Sequence, residues 1–405
     1  MNLIRILSIC ILIGQAAANL WEAVTAPSKS SMSFYSASWA TNRYVVAVGN
    51  NGVGNTGEII YSSNKGLTWK AANVTSGTTF RTLTDVASYS QNNYFLAVDY
   101  YTTLKTGSIY LSTNGGSKWT VAATKYNGKT NLPKLTSVSI GSNGNAFAAG
   151  YSFGSSISIF RSTSTSNFAT WRNISTFYDA QYTFFGIGTS DGQNVIAVGT
   201  YDNSVTSALS GVIIYSSNAG SSWKHASSGS SVDVIYCVSM ANASVAMIAG
   251  DNGYVAHTEN GGRNWTTVNV YGTNSSLFTT KFHSISMVSP QIAFVAGFIG
   301  SKSYVYKTVN GGVSWFIDAS GFSSIYSLAM YDVNLGVAGG IAGAGMYVSV
   351  AGEILYFCFA NLIFTGNIIC RPDKSAYKAS ISSTNKSAVE TTVSTTTQST
   401  INSAN

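Results

Sequence analysis

Thr308-Val309-Asn310-Gly311-Gly312-Val313-Ser314-Trp315 is the stretch on which the reading of the fold turns. Asn bonds its own backbone and tolerates left-handed geometry, and Gly supplies positive φ without steric cost. The octet therefore reads as a tight turn that delivers a large ring to the start of a new strand. It recurs with Asn64, Gly66 and Trp69, with Asn114, Gly116 and Trp119, with Asn218, Gly220 and Trp223, and with Asn260, Gly262 and Trp265. The octet quoted first supplies Asn310, Gly312 and Trp315. A sixth copy near Ser164 keeps Trp171 but has lost the Asn and Gly positions. The tryptophans follow one another at 50, 52, 52, 42 and 50 residues, a period that belongs to repeat architectures.

A second motif runs in step. It is a short apolar run ending in a small residue: Val45–Gly49, Ala146–Gly150, Val195–Gly199, Ala246–Gly250, Ala293–Gly297 and Gly336–Gly340, with Phe95–Asp99 ending on a carboxylate. Each unit then reads as four short strands: an apolar-polar run such as Thr136–Ile140, the small-residue strand, a strand before the box, and one beginning at the box Trp. Four antiparallel strands repeated every 40–50 residues predict an all-β propeller. Seven small-residue strands stand against six box tryptophans. The last unit lacks a fourth strand, and Leu20-Trp21-Glu22-Ala23-Val24 resembles one. The expectation is a seven-bladed β-propeller of four-stranded antiparallel blades, closed by the N-terminal strand, which leaves few exposed sheet edges. Six blades and a ragged seventh repeat remain the alternative.

The chain has 405 residues, 45% hydrophobic and only 9% charged, with Ser, Thr, Asn, Gly and Tyr carrying the polarity. Its net charge of +7 is dispersed, without a Lys or Arg run, which argues against nucleic acid. Residues 1–18 read as a signal peptide: a positive start, an apolar run from Ile6, and cleavage after Ala18. Sequons at Asn73, Asn173, Asn242, Asn264, Asn274 and Asn385 fit a secreted glycoprotein. Cys237 reads as a core thiol, and Cys358 and Cys370 are a candidate disulfide. His225, His257 and His283 lie far apart, and nothing calls for a metal or a cofactor.

The repeated octet resembles the Asp-box, or bacterial neuraminidase repeat, Ser-x-Asp-x-Gly-x-Thr-Trp. Over roughly residues 20–350 the chain is similar to the propellers of the photosystem II assembly and stability factors. It is more distantly similar to those of sortilins, sialidases and xyloglucan-active glycosidases. Every complete box here has Asn where those families usually carry Asp. The resemblance implies that the box is a fold element away from the ligand face, so it predicts architecture and not activity. Arg81, in Phe80-Arg81-Thr82-Leu83, is the nearest match to a sialidase arginine segment and lacks its proline. A single ring lacks the two-propeller cleft that xyloglucan cleavage needs. No Cys-rich module of the sortilin kind follows the ring, and no second transit peptide fits between Ala18 and Trp21.

In a propeller, the loops from strand four to the next strand one share a face with the loops from strand two to strand three. The first set carries Arg81, Asp85, Lys134, Tyr182, Asp233 and Lys281, with Tyr236, His283 and Tyr326 beside them. The second carries Tyr100, Tyr101, Lys105, Tyr151, Tyr201 and Asp202, and its long members include Thr200–Gly211. Tyrosine gives amphipathic contact area at low entropic cost, suited to a protein or glycan partner. Asp99 replaces the Gly of all six other units and is the candidate carboxylate of a glycoside hydrolase, with Asp85, Asp202 and Asp233 in other loops of the face as candidate second carboxylates.

Residues 19–352 form the expected ring. Residues 353–370 are an apolar segment: a strand, a marginal membrane anchor, or an artefact of the gene reading. Residues 371–405 are a Ser/Thr-rich tail that cannot bury enough to fold. The leading expectation is a secreted, monomeric, non-catalytic propeller that binds a protein or glycan. An extracellular glycoside hydrolase and a lumenal assembly factor or sorting receptor are the alternatives.

Overall fold

The computed structural model describes residues 20–350 apart from 28–31, 53–55, 76–78, 102–104, 129, 152–158, 165, 176–181, 204–207, 227–233, 271–279, 323 and 341–345. It also describes a hairpin at 356–360 and 368–372. The chain divides into two units, residues 1–350 and 351–405.

The first unit is a seven-bladed β-propeller. Blade one pairs Ser33–Trp39, Val45–Asn50, Gly57–Ser62 and Lys70–Ala71 in that order. The first strands of blades two to seven are Thr82–Tyr89, Leu135–Ile140, Tyr182–Thr189, Ile235–Met240, Lys281–Met287 and Ile325–Met330. Blade two departs from the four-stranded rule. Asn73–Val74 adds a fifth strand parallel to its outer edge, with Lys118 opposite Asn73. Blade seven takes its fourth strand from the other end of the chain: Leu20–Val24 runs antiparallel to Met346–Val350, with Trp21 opposite Ser349.

The second strand of every blade is a continuous apolar run because adjacent blades cover both of its faces. Val45, Val46, Ala47 and Val48 are all fully buried. The closing Gly has a separate cause. A Cβ at Gly49 would lie 1.8 Å from the Ser33 carbonyl oxygen, and one at Gly199 would lie 1.9 Å from that of Thr183.

The box turns tie themselves. In blade one the Ser62 hydroxyl accepts the Gly66 N–H at 2.9 Å and donates to Asn64 Oδ1 at 2.9 Å. That oxygen also accepts the Thr68 N–H at 3.0 Å, while Asn64 Nδ2 donates to the Thr68 hydroxyl at 2.9 Å. The network uses one acceptor oxygen and one donor aimed at a hydroxyl, so Asn fits as a carboxylate would. Thr308, Asn310, Gly312 and Ser314 repeat it. Each box Trp lands between its own blade and the preceding one. Trp119 packs on Val46 and Phe95, and its burial stabilises the interface by about 2–3 kcal/mol.

The degenerate third box survives by substitution. Phe168 occupies the glycine position at φ 50°, and its carbonyl accepts the Trp171 indole N–H at 2.7 Å. Left-handed geometry costs a side chain about 1–2 kcal/mol. The Phe168 ring is fully buried among Ala123, Leu132 and Trp171. Losing a buried Phe costs about 3–5 kcal/mol, so burial outweighs strain. Phe168→Gly is therefore expected to lower stability by about 2 kcal/mol in chemical denaturation, although it restores the residue of the other boxes.

In the second unit, Tyr356–Ala360 and Ile368–Pro372 form an antiparallel hairpin that sets Cys358 opposite Cys370. No helix among the described residues is long and apolar enough to cross a membrane.

Candidate functional site

A channel of about 470 Å³ runs through the ring and is lined by the first strand of every blade. Each of these strands carries a β-bulge at the same place. The register shifts between Phe34 and Ser36, Leu83 and Asp85, Leu135 and Ser137, and Phe184 and Gly186. It shifts again between Ile235 and Cys237, Phe282 and Ser284, and Ile325 and Ser327. A bulge re-aims side chains. Here it creates two stacked layers around the axis.

The lower layer is Ser36, Asp85, Ser137, Gly186, Cys237, Ser284 and Ser327. It joins blade to blade. Ser137 Oγ accepts the Ile187 N–H at 3.1 Å, and Ser284 Oγ accepts the Leu328 N–H at 3.0 Å. Asp85 fills the same role with two oxygens. Oδ2 accepts the Val138 N–H at 2.8 Å and the Ser137 hydroxyl at 2.7 Å. Oδ1 accepts the Val86 N–H at 2.8 Å and the Ser36 hydroxyl at 2.6 Å. One carboxylate thus clasps three blades. Burial pushes its pKa above the ordinary value, and the four donors oppose that push. Asp85→Asn would turn an NH2 toward a backbone N–H whichever way the amide sits. It is expected to cost about 1–3 kcal/mol in thermal unfolding, whereas Asp85→Ser restores the residue of the neighbouring blades and melts near wild type.

The upper layer consists of the bulged residues themselves: Tyr35, Thr84, Thr136, Phe185, Tyr236, His283 and Tyr326. Blades four to seven and blade one place an aromatic or imidazole ring there. Phe185 lies 5.8 Å from Tyr236, Tyr236 lies 4.8 Å from His283, and His283 lies 4.4 Å from Tyr326, centroid to centroid. Phe298 adds a ring 5.0 Å from His283. Tyr35 is 37% exposed and Tyr151 39% exposed. The result is an aromatic crescent at one mouth of the channel. Burial and the nearby Lys281 charge hold the His283 pKa down at about 4, so the ring is neutral at physiological pH. Its Nε2 is buried without a hydrogen-bond partner.

The residues expected at this face fall into small groups. Lys134 Nζ sits 5.3 Å from the Tyr100 ring and 5.2 Å from the Tyr151 ring. Burial raises the Tyr100 pKa, with Tyr35 and Tyr151 adding to the effect. Arg81 lies over Tyr101 at 4.4 Å. Tyr182 meets Tyr201 at 4.9 Å. Lys281 pairs with Asp251 at 3.1 Å, and Tyr236 Oη donates to the same carboxylate at 3.1 Å. Asp233 and Asn274 lie outside the described residues.

Three placements differ from expectation. Asp85, Tyr182, Tyr236, Lys281, His283 and Tyr326 belong to first strands and not to loops, and Asp85 faces the channel. The span from Thr200 to Gly211 is largely hairpin: strands Val195–Asn203 and Ala208–Ser216 pair, with Tyr201 opposite Ser210. Asp99 is fully buried, with its carboxylate accepting the Ser108 N–H and the Tyr110 hydroxyl, each at 2.6 Å. Burial raises its pKa, and these bonds with the Arg81 charge counter the rise.

Tyr35, Phe185, Asp251, Phe298 and the serine ladder are features the sequence reading passed over. The signal for the rings and the ladder was a bulky ring followed by a small residue in strand one: Tyr35-Ser36, Phe185-Gly186, Tyr236-Cys237, His283-Ser284 and Tyr326-Ser327. Among the described residues no group of three His, Cys, Asp or Glu side chains could hold a metal. Asn73, Asn242 and Asn264 are exposed, and Asn173 is half-buried. Asn242 and Asn264 sit in turns at the opposite end of the sheets from the crescent.

A ring of this kind defines the class: a single seven-bladed propeller with a built channel mouth. No known family model matches the chain, and no curated protein does. Solved structures match in fold. YCF48 bound to D1 peptide aligns at 15% identity and TM-score 0.59 over 84% of this chain and 99% of that one. YCF48 from Cyanidioschyzon merolae aligns at 14% identity and TM-score 0.56, over 82% and 99%. The GH74 xyloglucanase from Xanthomonas campestris aligns at 13% and TM-score 0.60, over 82% of this chain and 53% of that one. Likeness at such identities carries the architecture alone.

Proposed function

We propose that the chain is a secreted, non-catalytic binding propeller that recognises a protein ligand at the aromatic mouth of its channel. The bulged position of strand one carries the reading. Five consecutive blades place a ring at a site where blades two and three carry Thr84 and Thr136. Contiguous half-exposed aromatics around a concavity have the composition of a binding hot spot. The similar fold of a YCF48 structure holding a peptide supports a protein partner over a glycan. The box turns support the Asp-box resemblance, and the leader at residues 1–18 with its sequons supports the secretory route. The hydrolase reading is weaker. Asp99 is sealed from solvent, and Asp99 and Asp85 are each held by framework bonds.

Immobilised protein used to capture partners from secretory fluid tests the reading. Capture should fail for Tyr35→Ala with Tyr236→Ala and persist for Val313→Ser on the box face. The reverse pattern would contradict it.

A further inference from the structure

One layer below the crescent, in blade two where the upper layer carries Thr84 and no ring, lies the single charged member of the channel's lower layer. The other six positions are Ser, Gly or Cys, and Asp85 alone carries a carboxylate. All of the Asp85 bonds come from neutral donors. Among the described residues no cation lies within ion-pair distance of it. Lys281 at the rim is already paired to Asp251. The Asp85 carboxylate, held by four hydrogen bonds but with no counter-charge beside it, therefore lines a cavity of about 470 Å³.

We propose that this mouth is a socket for a cationic side chain, an arginine or lysine of the protein partner, inserted past the crescent into the channel toward Asp85. The inference rests on the binding reading above and names the chemistry of its anchor. Three features converge on it. Aromatic rings attract cations through their quadrupoles, the more so where the cation is desolvated. An unpaired carboxylate in a channel of reduced dielectric gains from an opposite charge. The buried, unpartnered Nε2 of His283 stands at the same rim, where the N–H groups of a guanidinium would supply a donor. Hydroxyl-bearing Ser36, Ser137 and Ser284 would solvate the rest of the group. An acidic anchor fits the channel less well: Arg81 is offset by the Asp99 charge and Lys281 by Asp251, and Lys134 lies over Tyr100 and Tyr151, outside the channel lining.

The test uses the full chain and two small probes that differ in charge alone, Nα-acetyl-arginine amide and Nα-acetyl-citrulline amide. NMR titration should show saturable shifts with the arginine probe and binding weaker by about tenfold or more with citrulline. Asp85→Ser, shown by its melting curve to be folded, should erase that preference, and Tyr236→Leu should weaken the arginine probe without creating a preference for citrulline. Equal binding of the two probes, no binding of either, an unchanged preference in Asp85→Ser, or tighter binding of Nα-acetyl-glutamate amide would overturn the proposal. Partner capture that still depends on Tyr35 and Tyr236 would in each case leave the binding reading intact.

Discussion

Deleting Leu20–Val24 is expected to abolish cooperative unfolding of the ring and to drive the chain into oligomers. The deletion uncovers the Met346–Val350 strand, which then presents a free row of N–H and C=O groups at the edge of blade seven. The blade six–seven interface loses an aromatic anchor as well. Trp21 packs edge-on against Phe322 at 6.3 Å, beside Phe294 and Tyr347, and its indole N–H donates to Asp318 Oδ2 at 2.9 Å. Trp21→Ala alone, with the strand kept, should cost about 3 kcal/mol, the low end for a Trp because this one is only half-buried. Size-exclusion profiles and denaturant midpoints of the two variants check both statements.

Asp318→Ala is expected to be as damaging as any single substitution in the ring. Asp318 and Lys307 form a nearly fully buried pair, Nζ to Oδ1 3.8 Å, with the ammonium also 3.5 Å from the Val333 carbonyl and 5.1 Å from the Phe294 ring. Removing one partner leaves a buried charge, which costs about 3–5 kcal/mol. The loss should carry a pH signature. Burial already lowers the Lys307 pKa below 10.5, and Asp318 works against that shift. Without Asp318 the folded protein favours the neutral amine still more strongly. The unfolded state then binds more protons, so the variant gains stability as pH rises toward the ordinary lysine value. Melting temperatures measured from neutral to alkaline pH should converge on wild type from below. Because Trp21 donates to Asp318, the Trp21→Phe and Asp318→Ala effects should fall short of additivity.

The ring was legible because its repeat is written in residues with single physical causes. Gly49, Gly150 and Gly199 are dictated by a carbonyl that leaves no room for Cβ, and Asn310 with Gly312 by a turn. Trp21 was legible as the missing member of a series. The site was harder to see because it depends on an irregularity. Along a regular strand, alternation predicts which side chains share a face, and a one-residue bulge reverses that assignment downstream. Tyr35 and Phe185 therefore looked like ordinary strand residues, and Asp85 like a loop carboxylate. Asp99 misled for the opposite reason. Its departure from glycine suggested chemistry, while its carboxylate is buried in bonds to Ser108 and Tyr110.

Hydroxyl-radical footprinting of the protein with and without its captured partner reads the recognition face most directly. Burial of the crescent predicts protection concentrated at Tyr35, Phe185, Tyr236 and Tyr326, with Trp265, Trp315 and Val313 at the box turns unchanged. Protection confined to the box turns or the outer strands, with the crescent as reactive as in the free protein, would contradict it.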